Sequence, residues 1–211
     1  MRLKLTLALI TVGILVGAGT SVQAAPLLSV LNIYSEDDNL CIDFYFKDAI
    51  DRDLIQTMQN GVPALLSYQI DVWLDRANWY DKLVTTVRYS YRMHYDNWDT
   101  LYCVSTISGG RKEDISAGDV AELVHLVCNQ QRLKACRLSE LRSDRSYYMT
   151  VSAEIQALSA ERVKEIDDWL GGEGAEESRG GMLDFVIGVF SSGGKTAEIK
   201  TSVFSPEGLT G

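Results

Sequence analysis

Two long stretches of alternation constrain this chain most. In residues 64–76, Leu66, Tyr68, Ile70, Val72 and Leu74 fall on one side, with Ser67, Gln69, Asp71 and Asp75 on the other. Residues 83–95 repeat the pattern, with Leu83, Val87, Tyr89, Tyr91, Met93 and Tyr95 opposite Arg88, Ser90, Arg92 and His94. A side-chain period of two marks a β-strand with one buried face. Each run is about 13 residues long where about 5–6 is usual. Joined by the polar stretch Asn78-Trp79-Tyr80-Asp81, they predict the spine of a twisted antiparallel sheet.

Shorter signals extend the sheet. In residues 27–47, Leu40, Ile42, Phe44 and Phe46 alternate with Cys41, Asp43, Tyr45 and Lys47, and Glu36-Asp37-Asp38-Asn39 supplies the turn of a hairpin. Further strands are expected near 100–107, 133–138, 146–157 and 196–204. Helices should be short. Asp48 caps one carrying Ile50, Leu54, Ile55 and Met58, stopped by Gly61 and Pro63. Ser116 and Asp119 give a capping pattern before Val120, Leu123, Val124 and Val127. Ser159 caps a third with Val163, Ile166 and Leu170, and Leu183, Val186, Ile187 and Phe190 suggest a fourth. Gly109-Gly110 reads as opening a polar loop, and the acidic, glycine-rich stretch 171–181 as a flexible one. The expected fold is mainly β, an antiparallel sandwich-like domain with three or four short helices. An open antiparallel α+β sheet is the alternative.

Residues 1–24 read as a secretory signal peptide. Arg2 and Lys4 precede the apolar run Leu5 to Val16, and Val22 and Ala24 are small residues at the −3 and −1 positions of a cut before Ala25. An uncleaved N-terminal anchor is the alternative. Residues 25–211 then form a single domain in the periplasm or outside the cell, with no further segment long and apolar enough to span a membrane.

Charge narrows the partners. Removing Arg2 and Lys4 from 20 basic residues leaves 18 against 29 acidic ones, a net of −11. That disfavours nucleic-acid backbones and anionic lipid headgroups. Hydrophobic residues at 46% and charged residues at 23% are ordinary globular values. Export places Cys41, Cys103, Cys128 and Cys136 in an oxidising compartment, where an even count suggests disulfides. Of three connectivities, 128–136 with 41–103 is preferred; buried free thiols are the alternative. Without any C-x-x-C, zinc ribbons and thioredoxin-type sites have no support.

Signatures of catalysis are missing. Gly193-Gly194-Lys195-Thr196 resembles the tail of a phosphate loop, but Val189 stands where the first glycine belongs and a strand-like pattern follows. Gly172-Glu173-Gly174 follows a predicted helix rather than a strand, so it fails as a dinucleotide fingerprint. His94 and His125 are the only histidines, and no G-x-S-x-G elbow marks a nucleophile. The acidic groups Glu36-Asp37-Asp38, Asp48 with Asp51 and Asp53, and Glu173 with Glu176 and Glu177 read as caps, turns and solvated faces. None makes an EF-hand, although the 171–181 loop could hold calcium weakly. No catalytic, cofactor or metal residue is therefore assigned. Tyr89, Tyr91 and Tyr95 share a face with apolar residues and read as core. Trp79, Tyr80 and Trp98 fall at strand ends and are candidates for a binding rim.

The order of these features is itself informative. An exported N-terminus and a hairpin lead to a helix ending in Gly61-Val62-Pro63. A long strand, Trp79-x-Asp81, the tyrosine-rich run from Val87 to Tyr95, a helix and the strand from Tyr147 to Ile155 follow. Over residues 28–170 this resembles the exported bacterial family of domain of unknown function 4390 (DUF4390). The resemblance implies an envelope-facing protein of a Gram-negative bacterium and carries over no catalytic residue. The functional expectation is a non-enzymatic interaction or structural module of the cell envelope with a protein partner. The alternatives are a domain binding a small molecule, glycan or lipid, and a hydrolase using carboxylates or a serine.

Overall fold

The computed structural model describes residues 25–108, 111–158 and 194–209. The expected signal peptide, the helices over 159–170 and 183–190, and the loop 171–181 lie outside the described residues. Among the described residues, nine antiparallel strands form two sheets. β1 (Leu27–Glu36), β2 (Asn39–Lys47) and β7 (Asn129–Arg137) make the smaller, in the order β1-β2-β7. The larger is ordered β6-β5-β4-β3-β8-β9. Its strands are β3 (Ala64–Leu74), β4 (Lys82–Asp96), β5 (Leu101–Ser108), β6 (Arg111–Ala117), β8 (Tyr147–Ala157) and β9 (Lys195–Lys200). The described residues hold two α-helices, α1 (Arg52–Gln59) and α2 (Val120–Cys128), rather than three or four.

The alternating positions build one core between the sheets. Leu40, Ile42, Phe44 and Phe46 of β2 meet Leu66, Tyr68, Ile70 and Val72 of β3 and Met149, Val151, Ala153 and Ile155 of β8, all buried. Tyr68 sits at the centre, edge-on to Phe44 at 5.0 Å, to Tyr91 at 6.0 Å and to Phe46 at 6.1 Å between ring centroids. Burying tyrosine hydroxyls requires acceptors, and the junction of α2 and β7 supplies them. Tyr68 donates to the Val127 carbonyl at 2.8 Å and Tyr91 to Gln130 Oε1 at 2.6 Å, while Gln130 Nε2 donates to the Val127 carbonyl at 2.6 Å.

Several local expectations shift. The β1–β2 turn is tighter than its four polar residues suggest. Glu36 pairs with Asn39, and Asp37 and Asp38 both have positive φ, the geometry of a two-residue primed turn. The cap of α1 is Asp51, whose side chain accepts from Leu54 N at 2.9 Å, not Asp48. Gly61, at φ 89°, terminates that helix as expected. The cap of α2 is Asp119, accepting from Glu122 N, and Glu122 reaches back to Gly118 N. Ser116 instead lies in β6, an edge strand where the sequence suggested a loop.

Leu83 also changes faces. Between Val72 opposite Thr85 and Trp73 opposite Leu83, β4 carries one extra residue, Val84. This bulge turns Leu83 out of the core, and it is 44% exposed.

The four cysteines stand as thiols, and the strands correct the expected pairing. β7 runs extended between Cys128 and Cys136; at about 3.3 Å per residue their separation exceeds roughly 20 Å, while a disulfide needs Cα atoms about 5.5 Å apart. Cys41 and Cys103 alternate with core residues on β2 and β5, so they lie on the sides of two different sheets away from the shared core, Cys41 buried there and Cys103 partly exposed. Burial instead holds the Cys128 thiol up at about 12, and burial with Glu140 nearby does the same for Cys136.

Candidate functional site

The β3–β4 end of the large sheet gathers the chemistry not spent on the core. The bulge at Val84 and the pairing of Trp73 with Tyr148 place two aromatic rings on the outer face of neighbouring strands. They stack with centroids 6.3 Å apart and planes 10° from parallel. Trp73 Nε1 donates to Thr150 Oγ1 at 3.1 Å. From the other side, Lys200 Nζ lies 3.5 Å from the centroid of Tyr148, a cation–π contact. The Tyr148 hydroxyl donates to Asp81 Oδ2 at 2.8 Å, and Asp81 Oδ1 accepts from Arg76 N at 3.1 Å. These bonds hold the Asp81 carboxyl below its ordinary value. Burial, then Asp81, push the Tyr148 phenol up to about 12. Asp81 thereby pins the β3–β4 loop to β8.

An open polar cleft of about 600 Å³ lies beside this lattice, between the β3–β4 loop and the segment preceding β8. Arg76, Asn78, Arg142, Asp144 and Arg145 line it. Arg142 grips Asp144 with two bonds of 3.0 Å, and Arg145 Nε lies 3.7 Å from the same carboxylate. The Arg142 guanidinium holds the Asp144 carboxyl low. Asp75 N donates to Ser146 O at 2.9 Å and fixes the two walls to each other. At the rim, Trp79 and Tyr80 project into solvent, 75% and 89% exposed.

Not all expected rim residues meet here. Trp98 is 96% exposed, but it sits in the β4–β5 turn, where Asp96 Oδ1 accepts from Trp98 N and Asp99 N. The whole of β4 separates it from Trp79 and Tyr80, a distance on the order of 45 Å for 15 residues. Two aromatic tips at opposite ends of the sheet replace the single rim. Sequence reasoning missed Trp73, Tyr148, Lys200, Arg142 and Arg145. They come from separate segments, and only strand register brings them together.

Other candidates resolve into structural roles. Gly194 lies so close to β8 that a Cβ there would fall 2.8 Å from Glu154 Oε1 and 2.9 Å from the Ile155 carbonyl. Its glycine serves strand packing, and Lys195 and Thr196 begin β9. His94 and His125 are both exposed. Asp37 and Asp38 form the hairpin turn, and Asp51 caps α1 while pairing with Lys195. Among the described residues no group of three or more His, Cys, Asp or Glu side chains could hold a metal ion, and no helix is long and apolar enough to cross a membrane.

The architecture is that of a β-rich domain with exposed aromatic loop tips. Residues 26–159 match the model of the family described as Domain of unknown function (DUF4390), and the chain belongs to that family. No curated protein and no solved structure matches it.

Proposed function

We propose that this chain is an exported, periplasmic protein, a single sandwich-like domain that acts as a non-enzymatic interaction module of the bacterial cell envelope. We place its protein partner at the β3–β4 end. The observation that carries this reading is the pair Trp79 and Tyr80, exposed on a loop that the Asp81–Tyr148 bond holds in place. Large aromatics on a fixed loop supply contact area at low entropic cost, as hot-spot residues do. The arginine-lined cleft beside them adds polar donors for orientation. The N-terminal pattern of Arg2, Lys4 and the apolar run after them supports export.

The cleft also favours a second reading, the binding of a small molecule or glycan by Arg76, Arg142 and Arg145 with Trp79 as a stacking surface. A hydrolase finds less support, because the carboxylates described above serve as caps, turn residues and ion-pair partners. The test is chemical crosslinking in intact host cells, comparing the tagged chain with a Trp79→Ala/Tyr80→Ala variant. The module reading expects a reproducible envelope partner whose recovery falls at least fivefold in the variant. A lone monomer, with a glycan or metabolite bound in the purified protein, would favour the second reading.

A further inference from the structure

β8 has the composition of an interior strand. Over Tyr147–Ala157 it carries one charge, Glu154, and neither lysine nor proline, and most of its side chains are buried. β3 takes one edge. The other edge, left open, would be a long apolar template for a further strand, which folded proteins avoid. The family match spans β1 to β8 and stops at residue 159, before the strand that covers this edge. That strand is β9, pairing from Thr150 opposite Lys200 to Ile155 opposite Lys195. The 36 residues 159–194 separate it from Leu158, where antiparallel neighbours are usually joined by two to five. Its link to β8 is therefore not a tight hairpin.

The way β9 is held defines what the edge recognises. No residue of β9 is fully buried. Lys195 pairs with Asp51 at the cap of α1. Ala197 and Ile199 pack on the core. Lys200 lies over the Tyr148 ring. Beyond the strand, Thr201 Oγ1 accepts from Met149 N at 2.9 Å, and Phe204 pairs with Tyr147 through backbone bonds of 2.8 Å each way. The acceptor surface reads a basic residue, a small one two places on, an aliphatic one two further on, then a second basic residue. Backbone pairing gives affinity and alternate side-chain pockets give specificity, the mode of β-strand addition.

We propose that the β8 edge is a strand-addition site, that β9 is its resident occupant, and that an extended segment of an envelope partner with this basic–small–aliphatic–basic pattern displaces it. This rests on the interaction-module reading and names its surface. The edge ends at the Trp73–Tyr148–Lys200 lattice, so a partner strand leaving β8 would run onto the loop bearing Trp79 and Tyr80.

A labelled peptide of residues 194–209 serves as the probe, titrated by fluorescence anisotropy into three forms of the full chain. The first is unaltered. The second carries Lys195→Ala and Lys200→Ala, which loosen β9 but leave Asp51 and Tyr148 in place. The third carries Ser152→Cys and Glu198→Cys, a directly paired position, in a Cys103→Ala/Cys136→Ala background, so that oxidation staples β9 to β8. Apparent affinity rises with the fraction of open edge, so the loosened form should bind at least tenfold tighter than the unaltered chain. The oxidised staple should abolish binding and its reduction restore it. No saturable signal with the loosened form, or binding indifferent to the staple, would overturn the proposal. So would a dimer of the unaltered chain that the staple abolishes, since it would assign the edge to a second copy. If the partner captured in cells binds the stapled chain as well as the unaltered one, the module reading stands and the strand-addition site falls.

Discussion

Tyr68 is fully enclosed, yet its hydroxyl still reaches the Val127 carbonyl. That carbonyl also accepts from Gln130, which in turn receives Tyr91. Removing one donor is therefore unlike removing the hub. Tyr68→Phe leaves the carbonyl satisfied and should cost about 1 kcal/mol in urea unfolding. Gln130→Ala strands the Tyr91 hydroxyl in the core and should cost about 2–3 kcal/mol. Equal costs would show that the three groups do not form this network. Asp51 makes a second prediction. Burial pushes its carboxyl up, but the Lys195 ammonium and the Leu54 N–H outweigh burial and hold it below its ordinary value. A carboxyl lowered in the folded state adds stability above an unfolded pKa of about 3.9, and that contribution drains away as pH falls through the folded value. Asp51→Asn keeps a capping oxygen and loses only the charge. It should cost about 1 kcal/mol at pH 7 and flatten the acid limb of a stability–pH curve below about pH 4. An acid limb unchanged in the variant would contradict the pairing.

At the scale of elements, the β1–β2 hairpin offers the cleanest test. Asp37 and Asp38 both occupy the left-handed region, where asparagine and glycine are less strained. Asp37→Asn with Asp38→Gly should raise stability by about 0.5–1 kcal/mol in thermal unfolding. A loss would mean that the carboxylates matter more than the turn. The strands with clean alternation, β2, β3, β4 and β8, were legible because apolar side chains for the core alternate along them with polar ones. β6 was not, since Arg111-Lys112-Glu113-Asp114 offers no apolar residue to alternate with polar ones, as an edge strand can. Leu83 was misplaced because one bulged residue inverts every face beyond it, and a bulge leaves no mark in a hydrophobic pattern. The helix caps slipped by three residues because Asp48, Asp51, Ser116 and Asp119 all carry capping side chains; only hydrogen bonding selects among them. The disulfides failed for a related reason. Seven residues between Cys128 and Cys136 look short in sequence and are long when the chain is a strand. Exposed Trp79 and Tyr80 were legible from their place in a turn, whereas the lattice behind them depends on register across β3, β8 and β9.

Across the whole molecule, the two sheets share one core, and the large sheet is complete only with β9. A chain ending at Leu158 keeps every strand of the family match but bares β8. It should self-associate, shifting to large species in size exclusion, where the full chain stays discrete. A discrete, soluble truncated chain would show that the edge is protected in another way. The aromatic tips also make a whole-molecule contrast, because Trp79 and Trp98 are both exposed and stand at opposite ends of β4. The cleft and the Tyr148 lattice lie only at the Trp79 end. The most direct measurement places a photo-crosslinking amino acid at Trp79 in one chain and at Trp98 in another, in intact cells of the native host. The account predicts a defined adduct with an envelope protein from position 79 and none from position 98. No adduct at 79, or the same adduct from both ends, would contradict it.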